Sequence, residues 1–301
     1  MIVAAIDCGT NSVRLLVAES RDGAIVERER TLRLTRLGQG VDASGEFNRD
    51  ALTRTFAACD DYAAILAAHG VDRLRFVATS AARDARNREE FFAGVRDRLG
   101  VTPEVISGDE EARLSFGGAL AAAPGADGPV LVVDIGGGST ELVLGAPGGP
   151  LRAVSLDIGS VRLRERFLAS DPPTPAQVAA ASAMVDSLLD DSGIDPGAAR
   201  TWLGVGGTAT SLSAIAQGLP VYDRARVQGS TITRAALAAL ADRLLGIPVS
   251  EVLTIPTMVP GRADVICAGA LICARIAARA SVDLTVSESD ILDGIVAGLL
   301  A

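Results

Sequence analysis

The sequence predicts an α/β protein built of two similar domains with a cleft between them. Three observations carry this expectation. Apolar, strand-like runs alternate with helical patterns in both halves of the chain. The segment 121–129, AAAPGADGP, is small, rich in Pro and Gly and without periodicity, as linkers are. After it, the pattern that opens the chain begins again: Asp7, Gly9 and Ser12 return as Asp134, Gly136 and Ser139, all at an offset of 127 residues, with apolar runs on either side. The expected domains are 1–124 and 125–301, with the option that the last helix, about 289–301, packs back on the first.

Residues 2–6 read as a strand that ends at Asp7; a Gly/Asn turn and a second strand, 13–18, make a hairpin. A third strand is expected over 30–37. Asn48 caps a helix over 50–69 with Leu52, Phe56, Cys59, Ala63 and Leu66 on one face. Strand 74–78, a helix from Asn87, strand 104–106 and a helix from Ser107 to about 122 complete the first half. Ser107 and Glu110 form a capping-box pattern there. In the second half, strands are expected at 130–133, 141–144, 151–156, 201–205 and 283–286. Helices are expected from Ser160 to Phe167, over 175–190, 209–217 and 262–279, and from Ser289 to Leu300.

What the chain lacks narrows its chemistry. It contains no lysine, which removes P-loop, protein-kinase and Schiff-base mechanisms that depend on one. Its one histidine, His69, closes a helical pattern and reads as a helix C-terminal residue. The cysteines Cys8, Cys59, Cys267 and Cys273 form no CxxC pair and read as buried hydrophobes in a reducing compartment. A formal net charge of −9 argues against nucleic acid as a partner. No apolar run approaches the roughly eighteen residues of a membrane span, and the N-terminus has no leader pattern, so a cytoplasmic location is expected.

Chemistry must then come from carboxylates, hydroxyls, arginines, backbone amides and a metal. Turns rich in Gly, Ser and Thr present consecutive N–H groups that cradle phosphate. One Asp-x-Gly turn is satisfied by an Asx cap alone. Two of them, with Gly206-Gly207-Thr208 opening a helix, favour phosphate. A carboxylate beside phosphate needs a cation between them, so Asp134, with Glu141, is read as holding Mg²⁺ or a similar hard ion. In SGDEEAR, Asp109 and Glu110 are explained by the helix dipole, whereas Glu111 is a candidate to face the cleft. Arg83 follows a strand end, and Arg14 and Arg262 lie beside glycine turns, where guanidinium suits phosphate.

With these segments assembled, the chain resembles the exopolyphosphatase/guanosine pentaphosphate phosphatase (Ppx/GppA) family, in its short two-domain form. This is part of the actin–sugar kinase–Hsp70 superfamily of duplicated ribonuclease-H-like domains. The likeness rests on AAIDCGTNSVRLLVAE, VATSAARDARN, EVISGDEEARLSFGGAL, LVVDIGGGSTELVLG, SLDIGSVRLRERF, GVGGTATSLSAI, GRADVICAGA and SESDILDGI, in family order. It implies that Glu111 is the catalytic glutamate that positions the attacking water, and that Arg83 contacts phosphate. Asp7, Gly9, Thr10, Asn11 and Ser12 match the first phosphate loop; Gly136, Gly137, Gly138, Ser139 and Thr140 match the second, with Gly207 and Thr208 beside it. Thr10 stands where the family often has Ser, which keeps the hydroxyl. Asp134 and Glu141 lie near the divalent metal, Mg²⁺ or Mn²⁺, with K⁺ as an option. The implied activity is removal of the terminal phosphate of inorganic polyphosphate, short chains above all. The alternatives are the same chemistry on guanosine pentaphosphate, an alarmone-binding regulator with weak catalysis, and an ATP-using kinase of the superfamily. Arginines at about Arg14 and Arg262 imply guanosine tetra- or pentaphosphate as inhibitor or substrate; their bland alternative is pairing with nearby acids. A homodimer is expected.

Overall fold

The structure is a computed structural model that describes residues 1–126, 128–146 and 151–301. The chain divides into two compact units, Met1–Gly118 with Ile291–Ala301, and Ala119–Asp290. The division falls in the last turn of the helix Gly108–Ala121, ahead of the Pro/Gly stretch 121–129, of which Asp127 lies outside the described residues.

The first unit is a five-stranded sheet of β1 (Ile2–Cys8), β2 (Ser12–Arg21), β3 (Ala24–Leu34), β4 (Arg73–Ala78) and β5 (Glu104–Val105), in the order β3-β2-β1-β4-β5. β2 runs antiparallel to β1 and β3, and β4 runs parallel to β1 and β5. The second unit repeats this plan. β6 (Val130–Ile135), β7 (Thr140–Gly145), β8 (Leu151–Leu156), β9 (Thr201–Val205), β10 (Thr231–Ile232) and β11 (Leu284–Val286) lie in the order β10-β11-β9-β6-β7-β8. Read from β8 to β11 the order is that of the first sheet, and β10 adds an antiparallel edge. The repeated Asp–Gly hairpins are thus the β1–β2 and β6–β7 connections of two equivalent sheets.

Both faces of the first sheet are covered, which is why β1 is apolar from Ile2 to Ile6 rather than alternating. Ala4, Ile6 and Cys8 point to the side packed with Leu52, Cys59, Tyr62, Phe91 and Val95. Val3 and Ala5 point to the other side, against Ile291, Leu292, Ile295 and Val296 of the closing helix Ile291–Leu300. Gly294 lets that helix lie directly on the carbonyl of Leu114, where a Cβ would collide. In the second unit, a core around Trp202, Leu131, Leu142 and Leu163 joins the sheet to the helices Ser160–Phe167, Pro175–Asp191 and Ile266–Ala277.

The structure corrects several expectations. β3 begins at Ala24 rather than Arg30, because Asp22 and Gly23 both take positive φ (52° and 79°) and close a two-residue hairpin. The helix read over 262–279 is two: Pro260–Ala263, then Ile266–Ala277, with Asp264 and Val265 between them. The helix Arg234–Gly246 had no counterpart in the sequence reading. At the helix Gly108–Ala121 only half of the capping box forms. Glu110 N–H donates to Ser107 Oγ at 3.2 Å, while the Glu110 carboxylate accepts from Arg75 at 2.7 Å.

All four cysteines are free and buried. Burial pushes the Cys59 and Cys273 thiols up to about 12 and also raises those of Cys8 and Cys267, so none is a ready nucleophile. Among the described residues, no helix is long and apolar enough to cross a membrane.

Candidate functional site

The chemistry-bearing residues fall into two sets, one on each unit. On the first unit, Asp7 ends β1 and the loop Gly9–Ser12 turns into β2. Gly9 N–H donates to Ser12 O at 2.9 Å, which closes the turn. The β1–β2 register sets Asp7 opposite Arg14, whose Nη2 and Nε donate to Asp7 Oδ2 at 2.6 and 3.1 Å. Asp7 is buried, and this guanidinium neutralises it. The segment after β3 braces the loop: Arg36 N–H donates to Asn11 O at 2.9 Å and Gly38 N–H to Thr10 O at 2.8 Å. Gly38 lies on the Thr10 methyl so closely that a Cβ would not fit.

Arg83 comes from the short helix Ser80–Asp84 that follows β4. Its Nη1 donates to Glu111 Oε2 at 2.9 Å and to Ile106 O at 3.0 Å. The three acids of the GDEEAR segment are separated by their surroundings. The side chain of Asp109 is 58% exposed and pairs with Arg113 one turn on; that of Glu110 is 45% exposed and pairs with Arg75. The Glu111 side chain is 12% exposed and held by Arg83. Glu111, the acid singled out in the sequence, is the least exposed of the three.

On the second unit the loop after β6 repeats the closing bond, Gly136 N–H to Ser139 O at 3.0 Å. The duplicated register now sets Asp134 opposite Glu141, so a carboxylate stands where the first half has Arg14. Glu141 is 2% exposed and accepts from Ser155 Oγ at 2.7 Å. Asp134 lies against Gly206, whose φ of 75° and missing Cβ make room for the carboxylate. The Gly136 and Gly137 carbonyls accept from the N–H groups of Ser160, Val161 and Arg162, at 2.9, 2.8 and 3.1 Å. The start of the helix Ser160–Phe167 therefore fixes the loop that carries Gly136, Gly137, Gly138 and Ser139.

The hydroxyls of Thr140 and Thr208 bond to backbone carbonyls. Thr140 Oγ1 donates to Ile158 O at 2.6 Å, and Thr208 Oγ1 donates to Ile135 O at 2.8 Å. They brace the loop. Arg262 Nη1 donates to Gly207 O at 3.2 Å and to Ser211 Oγ at 3.1 Å. Of the two arginines expected beside the glycine turns, Arg14 thus pairs with an acid and Arg262 bonds to the helix that opens at Gly206.

Ser155 and Gly159 were missed. Ser155 is signalled by its place opposite Glu141 in the β7–β8 register. Gly159 was read only as part of a turn, yet a Cβ there would sit 2.5 Å from the Gly137 carbonyl carbon. Backbone cannot yield as a side chain can. Gly159→Ala should therefore lower stability by about 1–3 kcal/mol. Phosphate release should fall roughly tenfold or more as the loop shifts. Denaturant unfolding and steady-state kinetics on the one variant check both, and wild-type kinetics would show that loop placement does not matter.

The pair Asp134–Glu141 can be tested for a metal by its donor set. Two adjacent carboxylates without nitrogen or sulfur suit Mg²⁺, which binds through one or two carboxylates, waters and substrate phosphates. They do not suit structural zinc. Among the described residues, no group of three or more His, Cys, Asp or Glu gathers into a closed metal cage.

Two mixed sheets of one strand order, each opening on an Asp–Gly hairpin, define the two-domain actin-like ATPase fold, here fitted for phosphate chemistry without lysine. The chain belongs to the Ppx/GppA phosphatase family, whose model matches residues 16–300. It is 47% identical to exopolyphosphatase 2 of Mycobacterium tuberculosis over 99% of this chain and 98% of that protein. Among solved structures, an exopolyphosphatase-like protein superposes with a TM-score of 0.94 at 43% identity, covering 100% of this chain and 99% of that one. The Aquifex aeolicus family member gives 0.82 at 33% identity, covering 100% and 97%.

Proposed function

We propose that this protein is an exopolyphosphatase, a hydrolase that removes the terminal phosphate of inorganic polyphosphate. The observation that carries the reading is Glu111, a carboxylate withdrawn from solvent and held by Arg83. The full-length similarity to the mycobacterial exopolyphosphatase supports it.

Glu111 orients a water and takes its proton as the water oxygen bonds to the terminal phosphorus. The bridging P–O bond breaks in line, releasing orthophosphate and a chain one unit shorter. Arg83 and the backbone N–H groups of the loop Gly9–Ser12 stabilise the oxygens on which charge gathers. Asp134 and Glu141 would hold Mg²⁺ or Mn²⁺, which would supply positive charge toward phosphate oxygens. Orthophosphate release from polyphosphates of graded length, guanosine pentaphosphate and ATP, without an acceptor, tests the assignment. Release from polyphosphate first and foremost supports it. Preference for guanosine pentaphosphate moves the substrate, and dependence on an acceptor overturns hydrolysis. With a net charge of −9, the surface away from the loops offers long polyanions little, so short chains should be processed at least as well as long ones.

The reading extends to guanosine tetraphosphate as a competitor. It carries two pyrophosphates, and arginine and backbone amides are this chain's means of binding them. Arg262, bonded to the helix that opens at Gly206, is the arginine assigned to it. Arg14 is not, because removing it would strip Asp7 of its partner and disturb the basal reaction. Added alarmone should raise the apparent KM for polyphosphate without lowering kcat, and Arg262→Ala should relieve this. No inhibition of the wild type at millimolar alarmone ends the idea.

A further inference from the structure

The chain holds one Trp, two Tyr and seven Phe, and among the described residues Tyr222 alone of these is exposed. Tyr62 is buried in the first unit, where its hydroxyl donates to Val13 O at 2.8 Å. Tyr222, on the second unit, is 43% exposed and follows Val221, which is 73% exposed. Its hydroxyl is nevertheless tied down. Tyr222 Oη donates to Glu288 Oε1, and Glu288 Oε2 pairs with Arg224 at 3.4 Å. Glu288 N–H donates to Gln228 Oε1 at 2.7 Å, so the acceptor is itself fixed. Burial above all, with the Glu288 carboxylate, pushes the phenol up, while Thr210 and Arg262 act in the opposite sense. The hydroxyl therefore stays protonated and lies within reach of both Arg262 and Thr210, a residue of the helix Gly206–Ala216. With the hydroxyl engaged, the ring is what Tyr222 offers a ligand.

Arg262 links this ring to phosphate chemistry. It bonds to Gly207 O and Ser211 Oγ of the same helix, and Val259, 45% exposed, precedes it by three residues. A guanidinium suits an anionic group, and a fixed, exposed ring with aliphatic neighbours in the chain suits a flat one. Inorganic polyphosphate brings only the first of these. A nucleoside polyphosphate brings both, on one molecule.

We propose that the Tyr222 ring is the base-stacking platform of a nucleoside polyphosphate site on the second unit, with Arg262 on the phosphates of the ligand. Arg262 is the arginine assigned above to guanosine tetraphosphate, and the proposal rests on that reading. It goes further in the class of ligand, because stacking accepts every base: adenosine and guanosine polyphosphates bind alike. The tether to Glu288 serves this, since a ring already held in place loses little freedom when a base covers it.

Calorimetry on the full chain separates the two ends of such a ligand. The β,γ-imido analogues of GTP and ATP carry phosphates and base, and diimidotriphosphate carries the phosphates alone. The wild type should bind both nucleotides about tenfold more tightly than diimidotriphosphate, and within roughly threefold of each other. Tyr222→Ala should lose that advantage and bind all three ligands alike, with its unfolding midpoint near that of the wild type. Tyr222→Phe keeps the ring and should keep most of the advantage, to within about threefold. A nucleotide advantage that survives Tyr222→Ala overturns the proposal, and so does one lost equally in Tyr222→Phe, which would assign it to the hydroxyl. A wild type that binds nucleotides no more tightly than diimidotriphosphate overturns it too. So does an oligomer that Tyr222→Ala dissociates while the advantage remains, since the ring then belongs to a contact between copies. Arg262→Ala tests the reading beneath, and should weaken all three ligands by a similar factor. If it weakens none, the phosphates are held elsewhere and Arg262 loses its role, while the comparison of Tyr222 variants still decides the ring.

Discussion

Glu111→Gln should lower kcat for orthophosphate release by about 10²–10⁴-fold while KM stays nearly unchanged. Glutamine keeps the length and planarity of the side chain, and its carbonyl oxygen can still accept from Arg83 Nη1. What it loses is the capacity to take a proton from water. In the proposed mechanism substrate is bound by the loops and by Arg83, which the variant leaves in place. KM should therefore be the insensitive parameter, and a fall in kcat alone isolates the chemical step. Removing one charge of a partly buried pair also affects folding, so thermal unfolding has to be followed in parallel. Asp109→Asn and Glu110→Gln are the matched controls. Their carboxylates are exposed and bonded to Arg113 and Arg75, and each should keep kcat within a few-fold. Glu111→Gln with activity in that same range would remove Glu111 from the role of base.

The contrast among these three neighbours shows where the sequence ceases to inform. Their identity and their place at a helix start are local facts, and both were legible. Which of them is buried depends on Arg83, from the helix after β4, and on the Ile106 carbonyl that fixes Arg83; that relation spans many residues and leaves no periodic trace. The same holds for Gly159, whose reason is the Gly137 backbone on a different hairpin. The duplicated sheets were legible because register repeats in sequence: strands one after another, with an Asp–Gly turn at the same offset. The early start of β3 was signalled by Asp22-Gly23 and overlooked, since the strand it opens is charged and largely exposed rather than apolar. The break between Ala263 and Ile266 interrupts a run that is apolar almost throughout, and periodicity cannot reveal a gap inside such a run.

Asp134→Asn should raise the Mg²⁺ concentration for half-maximal activity by about tenfold or more, and should weaken Mn²⁺ binding measured on the protein without substrate. The two halves of one duplicated frame differ at this position. Asp7 and Asp134 end equivalent strands, and each stands opposite one residue of the following strand. In the first half that residue is Arg14, and the pair is neutral. In the second half it is Glu141, buried, with Ser155 donating to one of its oxygens. Two carboxylates facing each other across a hairpin suit a hard cation between them. A divalent ion meets this and leaves coordination positions for phosphate oxygens. Glu141→Gln should act in the same direction, because it removes the other half of the donor set. Asp7→Asn supplies the internal comparison. Whatever it does to the rate, it should leave the Mg²⁺ dependence where it was, since Arg14 already fills the cation's place there. If Asp134→Asn and Glu141→Gln both bind Mn²⁺ as the wild type does, the metal is held elsewhere. If Asp7→Asn shifts the dependence as far as they do, the asymmetry between the two hairpins is not what selects the metal site.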